Sequence, residues 1–384
     1  MSVPLYEKIT HHIIEQIKSG ELKSGDRVPS EKELSEAFNV SRITSKKALD
    51  ILAQEQIIER IRGKGSFVSA DLPFLNMSRL HGSEPVHSRS GHKKNLIGLI
   101  LPDFSNSYGL KLLHGIEEQC SHNQVNLLLR RTYGGRQEEE IAIQDFTEIG
   151  VDGLIVFPVH GEHYNAELLK LVLDGFPLVL VDRYLKGIPT HAVVTNNELA
   201  AQELTEHLLD LGHERIAFLS PPTKNTTTIE ERLSGFQNAF AQRGLNVPQE
   251  YLVTELYSTL PALFHAENIE RDEDTLRSFV QSHPEVSAYV VNEYNLVLIL
   301  SKVLRECGVR VPEDCSVTCF DSPEDPFGHP YFTHIEQREE EMGQKAVQLL
   351  IDQWKNGKIS TGNITVDYRI VEGSSTRSTK KETV

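Results

Sequence analysis

Residues 27 to 68 read RVPSEKELSEAFNVSRITSKKALDILAQEQIIERIRGKGSFV. Ser30-x-x-Glu33 has the form of a capping box and opens a helix whose Leu34 and Phe38 turn inward. Ser41 caps the next helix, on which Ala48, Leu49 and Leu52 recur at the spacing of one buried face. Two β-rich runs then flank a basic glycine tip, and the whole is the pattern of a winged helix-turn-helix, an architecture that reads DNA. Upstream, a further helix is predicted from about Leu5 to Ser19, with Ile9, Ile13, Ile14 and Ile17 on one side and Gly20 at its end.

The charge agrees once it is divided along the chain. The net charge is -16 over 384 residues. Residues 1 to 70 hold 11 Lys and Arg against 10 Asp and Glu, so the acidity belongs to the remainder. Between 40 and 66 stand Arg42, Lys46, Lys47, Arg60, Arg62 and Lys64 against three acidic residues, which places a basic footprint on the second helix of the motif and on the wing. An acidic remainder discourages adhesion to arbitrary DNA, because phosphate attraction alone would otherwise hold the protein everywhere.

Pro29-Ser30-Glu31, Val40-Ser41-Arg42 and Gly63-Lys64-Gly65-Ser66-Phe67-Val68, in this order and spacing, resemble the GntR-type winged helix. The resemblance implies that the first turn of the recognition helix enters the groove. Arg42 is then suited to a bidentate contact with guanine and Thr44 to a phosphate or a thymine methyl. Lys46 shares the face of Arg42 one turn on, and Lys47 is expected on phosphate. Gly65 lets the wing backbone approach DNA closely, with Arg62 and Lys64 placed to enter the minor groove. Lys32 and Lys46 stand where the family usually has Arg, and Ser45 where it has a core Val. A lysine lacks the guanidinium fork, so base readout at those two positions is put in question while phosphate contact is not.

About 70 residues suffice for this unit (1–70), leaving most of the chain for something else. Residues 71 to 94, rich in Ser, Gly, Pro, His and basic residues without an apolar period, read as a linker. From Asn95 the texture changes. NLIGLILPDF, VNLLLR, VDGLIVFP, FPLVLVDR, RIAFLS, SAYVV and SVTCFD are strands separated by helical patterns, and this βα alternation over 95–384 predicts parallel sheets covered by helices, in two lobes. Ligands in such folds sit at the carboxyl ends of the strands. Those ends carry Asp103 and Tyr108, Phe157, Asp182 and Arg183, Asn292, and Asp321.

The strings IGLILPDFSNSYGLKLLHGIEE, LTEHLLDLGHERIAFLS, ERLSGFQNAF, VRVPEDCSVTCFDS and FTHIEQREEEMGQKAVQLL look like the effector-binding core of LacI/GalR-type repressors, related to periplasmic binding proteins. Matching motif positions of that core nominate Tyr108, Phe157, Asp182, Asn292, Asp321 and Gln337 as ligand-binding residues. Carboxylates and amides suit sugar hydroxyls, an aromatic face suits the C–H side of a pyranose, and Arg183 suits an anionic group. Bland alternatives stand beside these: a turn cap for Asp321, helix-start packing for Tyr108, core packing for Phe157. Where the family usually has Asp after Asn292 this chain has Glu293, so the pocket is expected to differ in shape.

The expected function is a ligand-responsive transcriptional regulator, a repressor that binds operator DNA as a homodimer and is released by a small sugar. A core that only dimerises, or that senses a non-sugar metabolite, is the alternative. An enzyme is disfavoured, since no GxGxxG follows the first core strand and neither GxxxxGK[ST] nor GxSxG occurs. No cofactor or metal is expected. The four cysteines lack zinc spacings and read as reduced thiols, with a sensor built on Cys315 and Cys319 as the lesser reading. No apolar run approaches the length of about 18 residues needed to span a bilayer, and MSVPLYEKIT has no signal-peptide pattern, so the expected location is the cytoplasm.

Overall fold

The computed structural model describes residues 5–54, 57–61, 64–69, 96–159, 165–224, 226–259, 264–356 and 361–380. The expected linker, 71–94, and Arg62 lie outside them.

The N-terminal unit consists of α1 (Leu5–Lys18), β1 (Arg27–Val28), α2 (Glu31–Ala37), α3 (Arg42–Gln54), β2 (Ile58–Ile61) and β3 (Gly65–Val68). Its three strands form an antiparallel sheet in the order β1-β3-β2. The four isoleucines of α1 are buried together with Leu34, Ala48, Leu49, Leu52, Ile58 and Val68, so one small core joins the three helices to the wing. Ser45 is also fully buried at the place of a core Val, with its hydroxyl 3.5 Å from the Ser41 carbonyl one turn back.

The remaining chain forms two lobes of the same winding. The first is built from β4 (Leu96–Leu101), α4 (Leu110–His122), β5 (Asn126–Arg131), α5 (Arg136–Ile149), β6 (Gly153–Val156), α6 (Ala166–Leu173), β7 (Leu178–Val181) and β8 (His191–Thr195). The chain then crosses into the second lobe with α7 (Asn197–Asp210), β9 (Ile216–Leu219), α8 (Thr227–Gln242), β10 (Leu252–Val253), α9 (Ala266–Ser282), β11 (Ala288–Val291), α10 (Tyr294–Glu306), β12 (Ser316–Phe320) and β13 (Thr333–Gln337). It returns with α11 (Glu339–Asn356) and β14 (Asn363–Val366) and crosses once more to end in β15 (Tyr368–Val371).

The sheet orders are β14-β8-β7-β6-β4-β5 and β10-β9-β11-β12-β13-β15, parallel throughout except for β15. Stripped of the two late strands, both lobes run 2-1-3-4-5, the doubly wound order in which strand ends face a crevice. Near-continuous apolar runs such as LIGLIL and LVLV follow from burial on both faces. At two helix pairs the backbones touch. A Cβ on Gly115 would overlap the Glu340 carbonyl where α4 meets α11, and one on Gly235 would overlap the Glu198 carbonyl where α8 meets α7.

The shared winding creates a correspondence that the cleft exploits. Asp182 ends the fourth strand of the first lobe and Asp321 the fourth of the second. Both are left-handed, at φ 66° and 62°, and each amide reaches the fifth strand, Asp182 N to Val193 O and Asp321 N to Ile335 O, both at 3.0 Å. A non-glycine residue pays for that backbone, and Asp is among the few that tolerate it. The chain reversal it produces leaves the two carboxyl groups at the mouths of facing lobes.

Candidate DNA interface and effector cleft

In the reader, the Ser30–Glu33 capping box is complete. Ser30 N donates to Glu33 Oε2 at 2.6 Å and Glu33 N to Ser30 Oγ at 3.3 Å. Ser41 starts α3 by accepting from Thr44 N at 3.2 Å, and its hydroxyl also shares a 2.8 Å hydrogen bond with that of Thr44. Arg42 and Lys46 are exposed on this helix, and Lys64 is exposed at the wing. Lys47 rests its ammonium 4.0 Å from the ring centre of Tyr6, and Lys32 pairs with Glu36 at 3.9 Å. Arg60, one of the cations of the basic footprint, is spent within the protein on Glu31 and Asp50.

Gly65 is at φ 119°, which a side chain rarely adopts, and a Cβ there would stand 3.3 Å from Arg27 Nε. Arg27, exposed on β1 beside the wing, is therefore a further cation of this surface. Spacing alone did not suggest it, because only the pairing of β1 with β3 brings it there.

The cleft gathers Asp103, Tyr108, Phe157, Asp182 and Arg183 from the first lobe with Arg232, Glu293, Asp321 and Gln337 from the second. Tyr108 donates its hydroxyl to Asp182 and stands edge-on to Phe157, ring centres 6.2 Å apart. Burial, reinforced by the charge of Asp182, holds the Tyr108 phenol well above its ordinary range. Arg183 donates to Pro158 O at 3.4 Å, lies 5.0 Å from the Phe157 ring centre and reaches Asp182 at 3.5 Å. On the facing lobe Gln337 Nε2 donates to both oxygens of Asp321 at 3.1 Å.

Burial pushes the Asp321 carboxyl up to about 7 against the pull of Arg232, and burial likewise brings Glu293 to about 7. An acid near neutrality can accept or donate, which suits hydroxyl groups.

Arg232 was not singled out from the sequence. It lies in mid-helix on α8, where strand-end reasoning does not look. Its Nε donates to Asn197 Oδ1 and its Nη1 to Asn292 O, both at 2.8 Å, while the guanidinium lies 3.8 Å from the ring centre of Phe320. Asn292 itself is fully buried, its amide donating to Leu219 O at 3.0 Å. In this conformation it holds β9 to β11 and steadies Arg232, while its Oδ1 has no hydrogen-bond partner among the described residues.

Glu339 was not singled out from the sequence either, and it supports the cleft without lining it. Placed just after the second crossing, it accepts from Gly109 N at 2.6 Å and Leu112 N at 3.4 Å at the start of α4. Of the cysteines, Cys319 lies in β12 and is fully buried, which raises its thiol well above the ordinary range. Cys315 precedes that strand and is pushed up to about 12 by burial. Neither has the character of a reactive thiolate.

Residues 5–68 match the gntR family of bacterial regulatory proteins, and residues 205–376 match the periplasmic binding protein-like domain. The chain joins a gntR-type winged helix to a periplasmic binding protein-like core. It is 28% identical to the arabinose metabolism transcriptional repressor of Geobacillus stearothermophilus over 98% of both chains. Among solved structures it is similar to the transcription regulator CcpA of Lactococcus lactis, with a TM-score of 0.63 at 23% identity, over 74% of this chain and all of that one. A LacI family transcriptional regulator from Enterococcus faecium with bound ribose gives a TM-score of 0.60 at 24% identity over 74% of this chain and all of that one. At these identities the two structures speak for the fold of the core.

Proposed function

We propose that the protein is a transcriptional repressor whose winged helix holds operator DNA and whose two-lobed core releases it on binding a small sugar. The observation that carries this reading is the cleft: two carboxylates at equivalent strand ends of facing lobes, Asp182 and Asp321, in one lining with Arg183, Arg232, Glu293, Gln337 and the Tyr108 and Phe157 rings. Paired acceptors, forked donors and an aromatic wall are the chemistry of a polyol, and the likeness to an arabinose repressor along the full chain favours a pentose.

Coupling follows from linkage. A ligand that bridges the lobes favours one closure, closure changes how two readers are held, and operator affinity changes by the coupling energy, typically about 1 to 3 kcal/mol. Residues 1–70 are the reader, 71–94 the linker and 95–384 the effector and dimerisation unit. A homodimer is supported by exposed apolar residues at the edge of the first lobe, among them Leu129 on edge strand β5 and Ile141 and Ile149 on α5. Among the described residues no helix is long and apolar enough to cross a membrane.

Two measurements on full-length protein test the proposal. Titration calorimetry against a panel of pentoses and hexoses is expected to give a saturable isotherm for one of them. The same sugar is expected to lower affinity for a DNA sequence enriched from a random library. A core that binds no sugar and whose DNA affinity no sugar changes would leave it a dimerisation module.

A further inference from the structure

Ile43 is 81% exposed, the most exposed large apolar residue of the described N-terminal unit. It is the second residue of α3. At about 100° per residue it points opposite the stripe of Ser45, Ala48, Leu49 and Leu52 that the helix buries. No burial among the described residues accounts for an isoleucine there.

Its surroundings say what kind of surface would cover it. Arg42 precedes it, and Lys46 and Lys47 follow at the spacings that place them on the same side of the helix. Asp50, two turns on, would repel a polyanion, but Arg60 pairs with it and with Glu31. The face is thus an apolar point in a cationic field whose carboxylate, Asp50, is held by Arg60. A duplex presents the complement in its major groove, where phosphates line the edges and the C5-methyl of thymine is the apolar group on the floor. Thr44, which the family resemblance suits to a phosphate or a thymine methyl, is half-buried with its hydroxyl shared with Ser41.

We propose that Ile43 reads a thymine in the major groove through van der Waals contact with its C5-methyl group. The inference rests on the DNA-binding reading above and adds to it a base and an atom.

The test is an enrichment from a randomised duplex library with full-length protein, followed by replacement of each thymine of the enriched sequence by deoxyuridine, which removes only the methyl. One such replacement in each recognition element is expected to weaken wild-type binding about four-fold, the value of burying one methyl group. The same replacement is expected to leave Ile43→Ala unaffected. Because the side chain is exposed, Ile43→Ala is also expected to unfold at the wild-type temperature. Replacements tolerated everywhere, or costing the same in both proteins, overturn the assignment of Ile43 and leave DNA binding intact. If wild-type protein enriches no sequence at all, the DNA-binding reading falls and Ile43 with it.

Discussion

Glu339→Gln is expected to stabilise the protein above neutral pH and to change little in acid. Glu339 is 6% exposed and ties the chain leaving the second lobe to the amides that begin α4 in the first. Burial, and next the negative charge of Asp321, push its carboxyl up to about 8 against the pull of those two amides. In the unfolded chain the same group titrates near its ordinary value of 4.5. Between the two values the native state keeps a proton that the unfolded state has released. Stability from this group is therefore fully present below about 4.5 and lost as pH rises through about 8.

At about 1.4 kcal/mol per pH unit the ceiling is about 5 kcal/mol. Asp321 titrates in the same range and repels Glu339, so the two share that cost, and a single substitution recovers on the order of 2 kcal/mol. Glutamine keeps an acceptor for Gly109 N and Leu112 N and has no proton to lose. Urea denaturation at about pH 5 and about pH 9 reads the difference directly. A variant destabilised equally at both pH values would refute the reasoning, because it would mean that the start of α4 holds an ionised carboxylate and draws on its charge.

Three further outcomes follow from the same contacts. Arg42→Ala is expected to cost about 1 to 3 kcal/mol of specific DNA affinity in a gel-shift titration at fixed salt while calorimetric ligand binding is unchanged, since Arg42 lies on α3 and lines no part of the cleft. Asp321→Ala is expected to weaken effector binding by about 1 to 3 kcal/mol and to leave DNA affinity without effector nearly normal, so the variant stays on DNA at sugar concentrations that release the wild type. Its unfolding must be measured alongside, because Gln337 loses its acceptor. Arg232→Lys is expected to lower both stability and effector affinity, by about 1.5 to 3 kcal/mol for each charge-assisted hydrogen bond that fails to re-form. An ammonium has no planar fork with which to meet Asn197 Oδ1 and Asn292 O while lying over Phe320.

What could be read from the sequence and what could not divide along a physical line. Alternating apolar runs and helical periods located β4, β6, β7, β9, β11 and β12 because burial on both faces makes a parallel strand unmistakable. The residue that follows such a strand lies at the crevice as a matter of chain polarity, which is why Asp182 and Asp321 could be named without coordinates. Helix-borne members of the site carry no such mark. Whether Arg232 faces a cleft or solvent depends on the rotation of α8 against α7, set where Gly235 meets the Glu198 carbonyl, a contact between residues far apart in the chain. Glu339 would read as an ordinary acidic residue in a first helical turn, and only the return crossing from β13 brings it under α4.

Asn292 shows the limit on the other side: its strand-end position was legible, but its side-chain amide donates to the Leu219 carbonyl and does not line the cleft. The same holds in the reader, where Ser41-Arg42 announced a recognition helix. There the buried stripe fixes the helix phase and leaves Ile43 exposed, while Thr44 is half-buried and shares its hydroxyl with Ser41. Position along an element is a local property that sequence records. Rotation about it is a property of packing, and it decides which way Arg232 faces in the core and Ile43 in the winged helix.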